Sequence, residues 1–333
     1  MISRRGFLGG SVALLAAPLA AEAQQAAKVY RIGVLAIVPT PPMQDTFLHS
    51  LRERGYVEGE NVAFEWRWSQ GKSERFADFA TELVRLKVDV IATVSNQAAQ
   101  AARQATSTIP IVMMTSASPE RIGLVASLAR PGGNVTGLTV DTGPEIAEKM
   151  LQLLKEAAPR ISRVAVLLTT RPVGTEQRLL HDGGIQLSKL EAAAERLGIT
   201  LQVVTSASRS EFEDAFAAIA AGQADALFVS NSAVSFLHRR LILEFALKRG
   251  IAGVYPFREF AEDGGLLTYG VDLKDMVRRS TIYLDRILKG ARPGDLPVEQ
   301  PTKFELLINL KTAKALGLTI PPSLLQRADQ VIE

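Results

Sequence analysis

The sequence has no cysteine among its 333 residues, so disulfide bonds, thiolate metal sites and a lipid-modified N-terminal cysteine are all excluded. Histidine is rare as well, and its three copies are scattered over predicted helices instead of forming a metal-binding cluster. The formal net charge is +3, which gives little electrostatic reason to bind nucleic acid or an anionic membrane. We therefore predict a protein with no cofactor, no metal and no nucleic-acid partner.

Long apolar runs are absent except near the N-terminus. Residues 3–8 (SRRGFL) match the twin-arginine export pattern, and an apolar run of about 14 residues ends at Ala20. That run is shorter than the roughly 20 residues that cross a bilayer, and residues 21–23 (Ala-Glu-Ala) provide the small side chains that a signal peptidase reads. A buried or membrane-spanning helix is the alternative. The pattern favours a signal peptide, residues 1–23, which predicts a soluble protein exported to the periplasm without a lipid anchor.

Signatures of common enzymes are missing too. The tripeptide Gly71-Lys72-Ser73 resembles the end of a phosphate-binding loop, but Trp66 occupies the position of the first glycine of such a loop. Neither a Gly-x-Ser-x-Gly turn nor a His-Glu-x-x-His pair occurs. We predict that the protein is not an enzyme.

From residue 31 onward, short apolar segments alternate with amphipathic ones. The predicted strands are residues 31–38, 62–68, 89–94, 109–115, 163–169, 201–204 and 226–229. The predicted helices are residues 46–54, 73–87, a segment from 97, 144–157, 187–197, 211–220 and 235–249. This alternation is typical of parallel sheets covered on both faces. Because the two halves repeat the same order and spacing, we expect two α/β lobes with a cleft between them.

Several long segments resemble one protein family. They are residues 255–270 (YPFREFAEDGGLLTYG), 296–333, 54–62 (RGYVEGENV) and 131–137 (PGGNVTG). On these segments the chain resembles the ABC-transporter substrate-binding proteins related to tryptophan- and tyrosine-type periplasmic binding proteins. The resemblance implies the type I periplasmic-binding fold, an α/β fold in which two doubly wound parallel-sheet lobes are joined by three crossovers and enclose a ligand cleft.

The same resemblance implies where the lobes divide. The first lobe would take residues 28–138 plus 271–298, and the second residues 139–270 plus 299–333. The crossovers are then expected near residues 137–142, 268–272 and 297–302.

Polar side chains at strand ends are the first candidates for ligand binding, because ligands of open α/β sheets sit beyond the carboxyl ends of the strands. The tripeptide Val-Ser-Asn occurs after the third predicted strand of each half. The predicted ligand residues of this kind are Ser95, Asn96, Thr115, Ser116, Thr170, Ser230 and Asn231. Helix capping is the alternative for each of them, since the same residue types are preferred N-caps.

Aromatic and acidic residues complete the candidate set. Tyr255, Phe257 and Tyr269 stand where a strand meets the cleft or a crossover, and they are candidates to contact an apolar or aromatic part of a ligand, with hinge or core packing as the alternative. Asp141 and Asp272 are candidates to pair with an amine, with a plain surface position as the alternative. Trp66 and Trp68 share one strand face, and we expect packing there more than a ligand platform.

The resemblance implies the periplasmic solute-binding component of an ABC import system. We expect a monomer that closes by hinge motion on a small solute, with an amino acid or related small carboxylate favoured. It would deliver that solute to an inner-membrane ABC permease with its ATPase. A periplasmic sensor of the same fold, signalling to a membrane partner, and a periplasmic enzyme are the alternatives.

Overall fold

The computed structural model describes residues 28–169, 181–182, 185–206 and 208–333. The predicted signal peptide and the candidate ligand residue Thr170 both lie outside these ranges. None of the helices within the ranges combines the length and the apolar character that crossing a membrane requires.

The first sheet has five parallel strands in the order β2-β1-β3-β4-β5. The strands are β1 (Tyr30–Ala36), β2 (Val62–Trp68), β3 (Val90–Val94), β4 (Ile111–Ser116) and β5 (Val135–Thr139). One face packs on α1 (Pro41–Arg52) and α10 (Leu273–Leu288), and the other packs on α2 (Arg75–Arg85) and α3 (Asn96–Ala105). This order, with helices on both faces, is a doubly wound arrangement.

The second sheet has seven strands in the order β14-β13-β12-β11-β10-β6-β9. Its strands are β6 (Arg163–Leu168), β9 (Thr200–Thr205), β10 (Ala226–Val229), β11 (Ala252–Tyr255), β12 (Leu267–Val271), β13 (Phe304–Asn309) and β14 (Gln330–Ile332). Five neighbouring strands, in the order β9-β6-β10-β11-β12, are parallel and repeat the order of the first sheet. β13 runs antiparallel to β12 because the chain re-enters this sheet from the opposite end, and β14 pairs parallel to β13, so these two strands oppose the other five.

Helices cover both faces of the second sheet as well. One core contains side chains of α4 (Pro144–Ala157), α5 (Leu187–Arg196), α11 (Leu310–Ala315) and α12 (Pro322–Leu325). The other contains side chains of α6 (Phe212–Ala221), α8 (Arg239–Arg249) and α9 (Arg258–Glu262), with α7 (Ala233–Leu237) packed against it. A short hairpin, β7 (His181–Asp182) and β8 (Ile185–Gln186), precedes α5. The parallel, doubly wound lobes implied by the family resemblance are thus confirmed.

One predicted helix is two helices in the structure. The segment 235–249 was expected to be continuous, but α7 ends and α8 begins at His238, whose backbone is not helical (φ −103°, ψ 19°). The first of the two starts earlier than predicted because Ser232 and Ser235 form a reciprocal capping box around its N-terminus. This break places α7 as a separate turn at the carboxyl end of β10.

The chain passes between the two sheets three times. The first passage leads from β5 to α4, and the second leads from β12 into α10, whose buried Met276 and Leu284 pack with the first sheet. The third leads from residue 296 to β13 and is tied to the first, since Glu299 forms a parallel bridge with Leu138 of β5. The Thr136 hydroxyl also donates to the Leu296 carbonyl at 2.6 Å. The Asp272 N–H of the second passage donates to the Lys303 carbonyl of the third at 3.2 Å, so the three crossovers lie side by side at the junction of the sheets.

Candidate functional site

The strand order creates a crevice in each lobe. In the first sheet the neighbouring strands β1 and β3 lead to helices on opposite faces, and β6 and β10 do the same in the second sheet. Such a switch point leaves an opening beyond the carboxyl ends of the strands, where ligands of this fold class bind. A cavity of about 370 Å³ occupies this place, lined from the first lobe by residues 36–38 and 94–97 and from the second by Leu168 and residues 231–234.

Aromatic rings of the first lobe form one wall of this cavity. Trp66 and Trp68 of β2 stack with their ring centroids 5.2 Å apart and their planes 10° apart, and both line the cavity. Phe47 of α1 meets Trp66 edge-on at 5.8 Å. The tryptophans pack on each other and on Phe47, as expected, and they also border the cavity. Their two-residue spacing showed that they share a face, but not that this face borders the cleft.

The second lobe contributes a facing aromatic pair. Phe236 of α7 and Phe257, which follows β11, both line the cavity, and their rings meet edge-to-face at 5.6 Å and 83°. The sequence analysis did not select Phe236, because the predicted continuous helix gave no reason for one of its residues to reach the cleft.

The polar candidates of the first lobe come together as predicted from their positions at strand ends. Ser95, Asn96, Thr115 and Ser116 all line the cavity. The Asn96 Oδ1 atom accepts hydrogen bonds from the Ser116 hydroxyl and the Ala117 backbone N–H, both at 2.7 Å. These bonds fix the amide, and no residue of the described ranges accepts a bond from its Nδ2 group. The Nδ2 group of Asn96 is thus left as a hydrogen-bond donor in the lining of the cavity.

The matching candidates of the second lobe divide into two groups. Asn231 lines the cavity together with Ser232, whose hydroxyl also caps α7 by accepting from the Ser235 N–H at 3.0 Å. Ser230 is fully buried behind the wall, where its hydroxyl lies 3.2 Å from the Thr169 hydroxyl. The repeated Ser-Asn pair therefore reaches the cavity through both residues in the first lobe, but only through the asparagine in the second.

The two tyrosine candidates do not reach this cavity. Tyr255 is only 2% exposed and stacks on Phe260 at 4.9 Å, because strand alternation turns its ring toward α9. Tyr269 packs against Phe304 at 6.2 Å and borders a separate void of about 20 Å³ near the crossovers. Both side chains have the hinge and core surroundings that were the alternative to ligand contact.

The two acidic candidates also lie outside the cavity lining. Asp141 accepts a hydrogen bond from the Ser118 backbone N–H, and burial raises the pKa of its carboxyl despite that bond and the positive charge of Arg121. Asp272 caps α10 by accepting from the Asp275 N–H at 3.0 Å and pairs with Lys303 at 3.0 Å. Burial alone would raise the pKa of Asp272, but these partners hold it below its usual value. Asp141 thus binds the backbone just after β4, and Asp272 caps the helix that follows the second crossover.

The arrangement suits binding of a small, largely apolar molecule through a few oriented hydrogen bonds. The N-terminus of α3 opens on the cavity at Asn96 and Gln97, which favours an anionic group there, and Arg121 also contributes to the lining. Within the described ranges, no group of three or more acidic or histidine side chains is placed to hold a metal ion.

The backbone at Ser95 is strained. This residue has φ 111°, a region that is almost reserved for glycine, and its hydroxyl caps α3 by accepting from the Ala98 N–H at 3.3 Å. Glycine at this position would relieve about 1–3 kcal/mol of strain and would lose only a few tenths as an N-cap. Alanine would keep the strain and lose about 1 kcal/mol from the cap.

We therefore expect Ser95→Gly to be at least as stable as the original protein and Ser95→Ala to be less stable. The midpoint of urea unfolding, followed by circular dichroism, measures both variants under the same conditions. A glycine variant that unfolds at lower urea than the alanine variant would contradict a strained backbone at Ser95.

Two doubly wound lobes with a cavity between their switch points define a type I periplasmic binding protein. The sequence profile of the family described as "ABC transporter substrate binding protein" matches residues 31–332. This match spans nearly all of the described structure, and the chain belongs to that family.

Relatives with known names or structures agree with this assignment. A "Tyrosine-binding protein" of Clostridioides difficile is 27% identical over 298 residues, which cover 87% of this chain and 82% of the relative. The crystal structure of an ABC domain in complex with L-Trp from Streptococcus pneumoniae superposes with a TM-score of 0.80 at 26% identity, covering 92% of this chain and 100% of the other. A conserved domain protein of Vibrio cholerae gives a TM-score of 0.80 at 28% identity, covering 91% and 100% of the two chains. Two of these relatives are thus described by an amino acid that they bind.

Proposed function

We propose that this protein is the periplasmic solute-binding component of an ABC import system, which closes by hinge motion on an amino acid or related small carboxylate with an aromatic side chain. The observation that carries the proposal is a cavity into which both lobes place aromatic rings and an asparagine: Trp66, Trp68 and Asn96 from one side, and Phe236, Phe257 and Asn231 from the other. A ligand that contacts both walls stabilises the closed arrangement of the lobes.

The crossovers support the hinge part of the proposal. Three chain segments run side by side between the sheets, and because the sequence has no cysteine, no disulfide bond ties the lobes together. We propose the lobe boundaries given by the family resemblance, residues 28–138 plus 271–298 and residues 139–270 plus 299–333, since α10 packs in the first core and β13 in the second sheet. Closure about these segments would present a ligand-dependent surface to an inner-membrane permease and its ATPase. We further propose that the twin-arginine signal peptide directs export to the periplasm and is then cleaved. The receptor would act there as a monomer.

Two relatives support the ligand class. One bears the name of a tyrosine-binding protein, and the other was crystallised with L-Trp. In this chain the α3 N-terminus, Arg121 and the Asn96 amide would receive the carboxylate, and the stacked tryptophans would contact the ring.

A melting experiment with L-tyrosine and L-tryptophan tests this function. A ligand at about 100 times its dissociation constant adds roughly 2.7 kcal/mol of stability, so the melting temperature should rise by several degrees. Since the two tryptophans of the chain both line the cavity, their fluorescence should also change on titration with L-tyrosine. A sugar or nucleoside that raises the melting temperature while neither amino acid does would contradict the ligand class.

Asn96→Asp sharpens that test. The carboxylate keeps the oxygen that accepts from Ser116 and Ala117, but it replaces the free donor by a negative charge. We expect the affinity for L-tyrosine to fall by about tenfold or more while the melting temperature of the ligand-free variant stays close to that of the original protein. Asn231→Ala should likewise abolish most of the ligand-induced shift. Unchanged affinity in both variants would show that the ligand does not bind between the two asparagines.

A further inference from the structure

An ion pair lies directly behind the aromatic wall of the second lobe. Arg239 is the first residue of α8, and its guanidinium carbon lies 4.8 Å from the centroid of the Phe236 ring. The same side chain donates from Nη1 to the Phe236 carbonyl at 3.0 Å. Arg239 therefore holds both the backbone and the ring of a residue that lines the cavity.

The carboxylate partner connects this arginine to the second ring of the wall. Asp263 accepts from the Arg239 Nε at 2.8 Å, and the two side chains are only 24% and 22% exposed. Asp263 ends α9, the helix that begins immediately after Phe257. One ion pair thus joins the segment that carries Phe236 to the segment that carries Phe257.

We propose that Arg239 is a positioning residue that sets the orientation of Phe236 against Phe257 and so shapes the cavity for the ring of the ligand. This inference rests on the proposed function, which supplies a ligand with an aromatic side chain. A guanidinium above a ring attracts its electron-rich face, and a ring that is held before binding loses less rotational freedom when the ligand arrives. The planar, multidentate head of arginine contacts the ring, the carbonyl and the carboxylate at once, which a lysine ammonium does not reproduce.

The neighbouring residue provides a matched control. Arg240 also donates to the Asp263 carboxylate, with its Nε at 3.4 Å, but its side chain is 82% exposed. The guanidinium that lies over the Phe236 ring is that of Arg239. Arg239→Met and Arg240→Met each remove one cation from the same carboxylate and keep an apolar stem, but only Arg239→Met also removes the contacts with the Phe236 ring and carbonyl.

Titration calorimetry with L-tyrosine measures the effect on binding. We expect Arg239→Met to weaken binding by about three- to tenfold. The variant loses a partly desolvated cation–π contact, and the Phe236 ring is no longer held in one orientation before the ligand binds. Arg240→Met should change the affinity by less than about twofold, the range of an exposed ion pair. Equal losses in the two variants would overturn the proposal, because they would reflect only the reduced charge around Asp263.

A second measurement needs no ligand and keeps the inference separate from the proposed function. With 4-fluorophenylalanine introduced at position 236, the fluorine resonance of the full-length protein reports on the surroundings of that ring. Arg239→Met should shift this resonance, and Arg240→Met should leave it in place. A resonance that is unmoved by Arg239→Met overturns the positioning role, whereas failure of the original protein to bind either L-tyrosine or L-tryptophan would overturn the ligand class alone.

Discussion

Replacing Gly137 by alanine is expected to cost about 4 kcal/mol or more in the free energy of unfolding. Gly137 lies in β5 with φ +123°, and a Cβ atom there would sit 2.2 Å from the Met113 carbonyl oxygen and 2.6 Å from the Met113 nitrogen. The colliding atoms belong to the backbone of the adjacent strand β4, which cannot rotate away as a side chain could. The Gly137 carbonyl also accepts a hydrogen bond from the Glu299 N–H of the third crossover at 3.0 Å. The substitution therefore disturbs two of the three crossovers at once.

Gly133→Ala is the matched control for this substitution. Gly133 belongs to the same PGGNVTG segment, lacks a positive φ, and has no atom within 4 Å of the place where a Cβ would be. We expect its free energy of unfolding, measured in urea, to stay within about 0.5 kcal/mol of that of the original protein. If Gly137→Ala unfolds at the same urea concentration as Gly133→Ala, the backbones of β4 and β5 do not approach each other as closely as the structure shows at Gly137.

The fold was predictable because its information is local. Continuous apolar strands alternating with amphipathic helices admit few arrangements other than a parallel sheet with helices on both faces. The predicted bounds of β2, α4 and β10 agree with those in the structure. The antiparallel direction of β13 was not predictable in this way, because it depends on the end of the sheet at which the third crossover arrives, and no local pattern encodes that.

The candidate site was predictable only in part, for a related reason. Position at a strand end placed Ser95, Asn96 and Asn231 at the cavity, because the carboxyl edge of a parallel sheet is a consequence of its topology. Which face of a strand borders the cleft depends on the elements that cover it. Period-two spacing therefore could not show that Trp68 faces the cavity while Tyr255 faces α9.

Glu305 gives the protein an expected pH dependence of stability. Its side chain is 10% exposed, and its Oε2 atom pairs with the Arg258 Nη1 at 2.7 Å, whereas Oε1 is buried with no hydrogen-bond partner in the described ranges. Burial raises the pKa of Glu305 to about 7. Arg258 opposes this shift but is shared with Glu262, and the carboxylates of Asp272, Glu259 and Asp329 reinforce it.

The direction of the effect follows from proton linkage. The folded protein keeps the Glu305 proton up to about pH 7, while the unfolded chain releases it near its usual value of 4.5. Between these values the folded state binds more protons, so the free energy of unfolding falls as the pH rises through this window. Since one pKa unit corresponds to about 1.4 kcal/mol, the full loss above pH 7 approaches about 3 kcal/mol.

Glu305→Gln removes the titrating group but keeps an oxygen that accepts from Arg258. Urea unfolding between pH 4.5 and 8 should show a stability that declines with pH in the original protein and declines much less in this variant. Glu262→Gln is the control, because Glu262 binds the same guanidinium at 3.0 Å from a half-exposed position on α9, and its curve should follow that of the original protein. Parallel curves for the original protein and Glu305→Gln would mean that Glu305 is ionised throughout this range. In that case the ion pair with Arg258, rather than burial, would decide the charge of this carboxyl beside the crossovers.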